Sequence, residues 1–318
     1  GGCGGKSPHG PNAKGGGGGA GGVVYYTDND PPYNPSTPTS VFSSNTGTTY
    51  FDPRVDSQWT IKVGFGGLTY GMSGQNTTIS GAGISVVAVG GGGGAGPDNP
   101  AECLNPQVHQ DYPSDILASH AKPGGSGGGR AWNDGHPNVP NYPITGLGIP
   151  GQGYPGGNGG PVHGSGGGGA AGQGGSIPTG GTNPNPVGNI NGGDAVLLDI
   201  SGTPRAYGGG GGGTRQETTS PTGTSGVSGR VTGTAHQNDF VSGGYGFNLG
   251  NEGYPDAGGY WSNKDVAQDP GIRNRGGGSG GYGHTGGAYY WTGSGGSGIV
   301  ILSFPVLQNT MVIYEGTT

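Results

Sequence analysis

The amino-acid sequence predicts a mainly β and irregular fold, in which short β-strands combine with packed polyglycine II helices and almost no α-helix. Three observations lead there. The 85 glycines and 26 prolines are together 35% of 318 residues, and these two residue types punctuate or break regular elements. Leu, Ile, Val and Phe number only 48, or 15%, below the fraction that conventional cores need. Glycine occurs in consecutive runs, and β-branched stretches stand beside several of them. Only 9% of the chain is charged and its net charge is -6, whereas disordered chains combine low hydrophobicity with high charge.

The runs are Gly15 to Gly19, Gly90 to Gly94, Gly166 to Gly169, Gly208 to Gly213 and Gly276 to Gly278. Strand, then run, then loop is the recurring order. ISVVAVGGGGGAG from Ile84 shows it most clearly, AVLLDISGTPRAYGGGGGG from Ala195 repeats it, and GGSGIVILSFP from Gly295 reverses it. Further strands are expected at Val23 to Thr27, Trp59 to Phe65 and Met311 to Tyr314, each short, rich in Val, Ile or Tyr and bounded by turn residues. A single short helix is expected over Ser114 to Lys122, with Ser114 as its N-cap and Pro-Gly as its stop. The proline-rich stretches 30–38, 97–113, 137–155 and 183–186 read as ordered loops or extended connectors. Three regions result: 1–58 with a glycine run, a strand and a proline-rich loop, 59–304 as the glycine-rich repeat domain, and 305–318 as a C-terminal strand or tail.

Consecutive glycines can form a core. A polyproline II-type helix rises about 3.1 Å per residue, has no internal hydrogen bonds and directs its backbone polar groups outward. Without side chains, several such helices can lie side by side and bond laterally, aided by Cα–H to carbonyl contacts. Glycine loses roughly 0.5 to 1 kcal/mol more than alanine on ordering, so many lateral bonds must form together, with neighbouring strands clamping their register. Gly15, Gly17, Gly90, Gly92, Gly166, Gly168, Gly208, Gly211 and Gly276 are the expected structural glycines. Collagen is excluded because glycine does not recur strictly at every third position.

The combination of SVVAVGGGGGAG, TPRAYGGGGGG, GGNGGPVHGSGGGGAAGQGG and the closing GGSGIVILSFP resembles the glycine-rich modules of phage and viral tail-fibre proteins, including adhesins whose tips contain polyglycine II bundles. The resemblance runs from about Trp59 to Phe304. It implies a glycine scaffold whose intervening loops contact a host receptor. The long proline-rich loops and the segment after Pro305 depart from that pattern.

Other chemistry is sparse. The 12 basic residues are scattered, which argues against nucleic acid as a partner, and no apolar stretch approaches the roughly 20 residues that span a bilayer. The chain begins at Gly1 without a methionine or signal-like segment, which reads as processing or a missing N-terminal part. Cys3 and Cys103 either form one disulfide or stay as two buried thiols. G-x-S-x-G occurs at Gly124 to Gly128 and at Gly277 to Gly281, yet neither Ser126 nor Ser279 follows a strand and opens a helix. GGKS at Gly4 to Ser7 lacks the strand that a phosphate-binding loop requires. His9, His109, His120, His136, His163, His236 and His284 show no metal-ligand pairing, and Asp28, Asn29 and Asp30 read as a turn with too few ligands for calcium. Asn76-Thr77-Thr78 is a sequon. No catalytic residue, metal or cofactor is expected.

Aromatic residues are the functional candidates. Trp132, Tyr260, Trp261, Tyr289, Tyr290 and Trp291 can stack on sugars or anchor a protein receptor, or they cover the flanks of the glycine scaffold. The expected function is a non-enzymatic structural and adhesive subunit of a virion tail fibre or spike, located on the virion surface or outside cells. Its partners would be copies of itself, in a trimer or filament, and a cell-surface receptor or glycan. A subunit of a cellular extracellular filament and an ice-binding protein are the alternatives.

Overall fold

The computed structural model describes residues 1–5, 15–25, 58–68, 71–81, 84–95, 121–131, 145–159, 164–176, 190–200, 202–214, 271, 273–281 and 293–302. Among them there is no helix, and five short strands are present. The fold is therefore mainly β and irregular. The strands β1 (Thr60–Lys62), β2 (Thr77–Gly81) and β3 (Ile84–Ala88) form one antiparallel sheet in that order. A second antiparallel pair joins β4 (Val196–Leu198) to β5 (Arg205–Tyr207). Val, Ile, Thr and Tyr fill most of these positions, as a half-buried pleated surface favours.

Most of the described chain lies outside strands, in glycine tracts joined by lateral backbone hydrogen bonds. Residues 15–22 form the central tract. The N–H groups of Gly16, Gly19 and Gly22 donate to Ala95, Gly92 and Val89, those of Gly17 and Ala20 to Ser165 and Gly168, and those of Gly18 and Gly21 to Ser279 and Gly276. Every third residue thus addresses the same neighbouring tract. The carbonyls follow the same rule: Gly16 and Gly19 accept from Gly5 and Gly2, Gly17 and Ala20 from Gly129 and Ser126, and Gly18 from Gly211.

Six tracts therefore surround the central one. They also bond to one another in a closed ring: Gly94 to Cys3, Gly92 to Ser126, Gly168 to Gly127, Gly167 to Gly211, Gly278 to Gly209, and Ser279 to Gly2. Outer tracts continue the pattern, as where Gly295 and Gly298 donate to Gly67 and Gly64. Buried backbone groups must be paired, and here other tracts, rather than sheet partners, supply most of the pairs.

Strands feed directly into tracts at one end of this bundle. β3 leads into Gly90, β5 into Gly208, and β1 into Gly64. An apolar cluster of Ala170, Val196 and Tyr207 lies there, with Val23, Tyr154, Leu198 and Ile301 packed against it. Gly208 (φ 68°) and Gly276 (φ 65°) take left-handed turns at that end, where a side chain would add strain. Within the central tract no positive φ occurs.

Several sequence expectations need correction. Residues 23–25 are not a strand, because Val23 continues the lateral pattern and donates to Gln152 at 3.1 Å. Ile299 to Leu302 is not a strand either. Strand β2 was not expected, and of the candidate helix only Ala121 and Lys122 are described. Neither is helical, and Lys122 N–H bonds laterally to Gly93 at 2.9 Å. The described part of the proline-rich stretch 137–155 belongs to the bundle, since Gly146 donates to Gly128 and Tyr154 to Gly169. Met311 to Tyr314 lies outside the described residues.

Candidate functional site

The end of the bundle opposite the strands is where the chain repeatedly leaves and re-enters it. Gly5 donates to Gly16, Gly16 to Ala95 and Ala95 to Gly129. Ser165 donates to Arg130, Gly164 to Thr214, Gly213 to Ile190 and Gly281 to Gly212. These residues lie at or next to the points where tracts begin or stop. Segments 6–14, 96–120, 132–144, 160–163, 177–189 and 215–270 start from this rank of residues, and 282–292 starts from Gly281 beside them. Segments 26–57 and 303–318 instead follow Tyr25 and Leu302 at the strand end.

Small hydroxyl side chains finish the rank, because tract ends lose some of their lateral partners. Thr214 Oγ1 donates to the Gly15 carbonyl at 2.9 Å. Ser165 Oγ accepts from the Arg130 N–H at 2.7 Å and donates to the Gly157 carbonyl. Asn158 N–H donates to Ser176 Oγ at 2.9 Å. Arg130 stands here half-buried, and desolvation lowers its guanidinium pKa from the ordinary value. In the middle of the bundle the Gly1 nitrogen donates to the Gly296 carbonyl at 2.8 Å.

The expected structural glycines Gly15, Gly17, Gly90, Gly92, Gly166, Gly168, Gly208 and Gly211 are all buried, and Gly276 is half-buried. A Cβ at Gly17 would lie 2.1 Å from the Gly211 carbonyl oxygen, and one at Gly92 would lie 1.9 Å from that of Lys122. The two G-x-S-x-G serines are wholly buried. Ser279 Oγ accepts from Gly4 N–H at 2.8 Å, whereas Ser126 Oγ has no hydrogen-bond partner. Neither can meet a substrate where it stands. Cys3 is buried and its Sγ donates to Gly293 at 3.2 Å, while Cys103 lies outside the described residues.

The aromatic candidates Trp132, Tyr260, Trp261, Tyr289, Tyr290 and Trp291 also lie outside the described residues, as do all seven histidines and Asp28 to Asp30. What the structure adds is their attachment. Trp132 directly follows Ala131, the segment holding Tyr260 and Trp261 runs from Thr214 to Gly271, and the one holding Tyr289, Tyr290 and Trp291 runs from Gly281 to Gly293. Ala131, Thr214 and Gly281 are far apart in the chain, and only the tract register brings these segment ends to one end of the bundle. Among the described residues no group of acidic, histidine or cysteine side chains could hold a metal ion, and no helix is long and apolar enough to cross a membrane. No protein-family model, curated protein or solved structure matches the chain.

Proposed function

We propose that the tracts are polyglycine II helices and that the protein is a structural and adhesive subunit of a virion tail fibre or spike. The three-residue recurrence of lateral partners supports the first part, since a helix with three residues per turn presents its N–H groups in three directions. The second part rests on the gathering of segment ends at one face of a stiff bundle. Binding residues concentrate on variable segments held by rigid scaffolds. A bundle whose interior is backbone tolerates changes in those segments without disturbing its core.

The chain acts without turnover, by contact of aromatic side chains with a sugar or protein on a cell surface. Binding of the purified chain to a panel of intact bacterial cells with different surface polysaccharides and outer-membrane proteins tests this. The triple change Tyr289→Ala, Tyr290→Ala and Trp291→Ala is expected to reduce adhesion to the responsive cells at least tenfold, as loss of aromatic anchors does, with the thermal midpoint unchanged. Binding to no cell type, or full binding by this variant and by Trp132→Ala and Trp261→Ala, would remove the adhesive reading.

A further inference from the structure

Asparagine is a chemically labile side chain, most of all before glycine, which hinders its neighbours least. The sequence holds two such pairs, Asn158-Gly159 and Asn191-Gly192, each followed by a further glycine. In an unfolded chain their reactivities are therefore nearly alike. The fold treats them differently. Asn191 lies in an outer tract held by three lateral bonds: its carbonyl accepts from Gly175 N–H at 2.8 Å, Gly213 donates to Ile190, and Gly193 donates to Gly167. Gly166 packs against the same peptide plane, because a Cβ there would lie 1.9 Å from the Asn191 carbonyl oxygen and 3.0 Å from the Gly192 nitrogen.

Asn158 stands at the end of its tract, in the rank where segment 160–163 leaves the bundle. Its N–H donates to Ser176 Oγ at 2.9 Å, and the preceding carbonyl, that of Gly157, accepts from Ser165 Oγ. The peptide plane before Asn158 is thus pinned. The plane after it is not: among the described residues neither the Asn158 carbonyl nor the Gly159 N–H has a hydrogen-bond partner. Asn158 is exposed, and its side-chain amide likewise has no partner among the described residues. Gly159 is buried, but the group its nitrogen must meet is the adjoining side chain rather than solvent.

We propose that Asn158 is a site of spontaneous deamidation and that the bundle protects Asn191 from the same reaction. The Gly159 nitrogen attacks Asn158 Cγ and gives up its proton as the side-chain nitrogen leaves as ammonia, which closes a succinimide ring. Water then adds to one of the two ring carbonyls and opens the ring. The product is aspartate, or isoaspartate, in which the main chain runs through Cγ. Ring closure requires the plane between asparagine and glycine to turn. At residue 158 that is a local motion, whereas at 191 it breaks the bond to Gly175 and moves the plane against Gly166. The new carboxylate would stand in the rank that holds half-buried Arg130, whose N–H faces the Gly157 carbonyl at 3.5 Å. This inference is independent of the adhesive reading, because only the chain and water take part.

Prolonged incubation of the folded full chain in warm, mildly alkaline buffer tests it, with peptide mass spectrometry and an isoaspartate-specific methyl-transfer assay on the separated peptides as readouts. Conversion at Asn158 is expected to run at least about tenfold faster than at Asn191, since reaction at Asn191 waits on opening of the bundle. In denaturant the two rates should converge. No conversion at Asn158, or equal rates at the two sites in the folded chain, overturns the proposal. A preference for Asn158 that persists undiminished in denaturant overturns it too, because the difference would then belong to the sequence and not to the fold.

Discussion

A methyl group on Gly17 would meet the carbonyl oxygens of Gly211 at 2.1 Å and Gly212 at 2.8 Å, backbone atoms that cannot swing aside. Four residues on, the nearest atom to a Cβ on Gly21 is 3.6 Å away, an ordinary van der Waals contact. Neither glycine has positive φ, so the contrast is purely steric. Gly17→Ala is expected to destabilise by at least about 1–3 kcal/mol, the scale of overpacking. Gly21→Ala should be neutral or stabilising by about 0.4–1 kcal/mol, through its effect on the unfolded chain. Thermal melts of the two variants check this, and equal midpoints would contradict it. The demand for glycine in runs such as 15–19 was legible in the sequence. The demand at isolated positions was not: Gly66 lies 1.9 Å, as a notional Cβ, from the Gly295 carbonyl oxygen, while adjacent Phe65 is exposed. In outer tracts only the inward residue must be glycine, so no run marks them.

Where a strand becomes a tract, the direction of successive N–H groups changes from a repeat of two residues to one of three. Side chains fill the mismatch. Thr77 Oγ1 accepts from Gly64 N–H at 3.0 Å, and Asn76 Oδ1 from Gly90 N–H at 2.9 Å. Gln152 does most, accepting from Val89 N–H and donating to the Val87 carbonyl, both at 2.9 Å, so that its amide extends β3. Gln152→Ala leaves both groups without this partner and is expected to cost about 1–2 kcal/mol. It should also speed exchange at the Val89 amide more than at Gly19. Unchanged exchange at Val89 would show that the side chain does not carry this junction. Strands β1, β3, β4 and β5 fell within or beside expected β-branched stretches. β2 was hidden because Thr77 and Thr78 sit in a polar stretch, and its strand character comes from pairing with both neighbours. The reverse held at Val23, whose β-branched side chain suggested a strand although its backbone follows the tract.

At the scale of the molecule, the bundle has two unlike ends. One gathers strands and the apolar cluster around Val196 and Tyr207, and the other gathers the exits of most remaining segments. Composition showed that aliphatic residues were too few for a large core and pointed to backbone packing. It could not show which tract lies at the centre, since glycine runs are alike and the arrangement is set by register between distant segments. The rank of segment ends at Ala95, Thr214 and Gly281 is likewise set by that register and has no counterpart in composition.

Backbone bonding between tracts is the account's central claim, and residue-resolved amide exchange of Gly16 to Gly22 tests it most directly. The account predicts that all seven amides exchange only through global opening, with similar protection at successive residues, because each has a lateral carbonyl partner. Exchange of these amides at the rates of an unfolded glycine chain would contradict it, as would alternation between protected and unprotected residues.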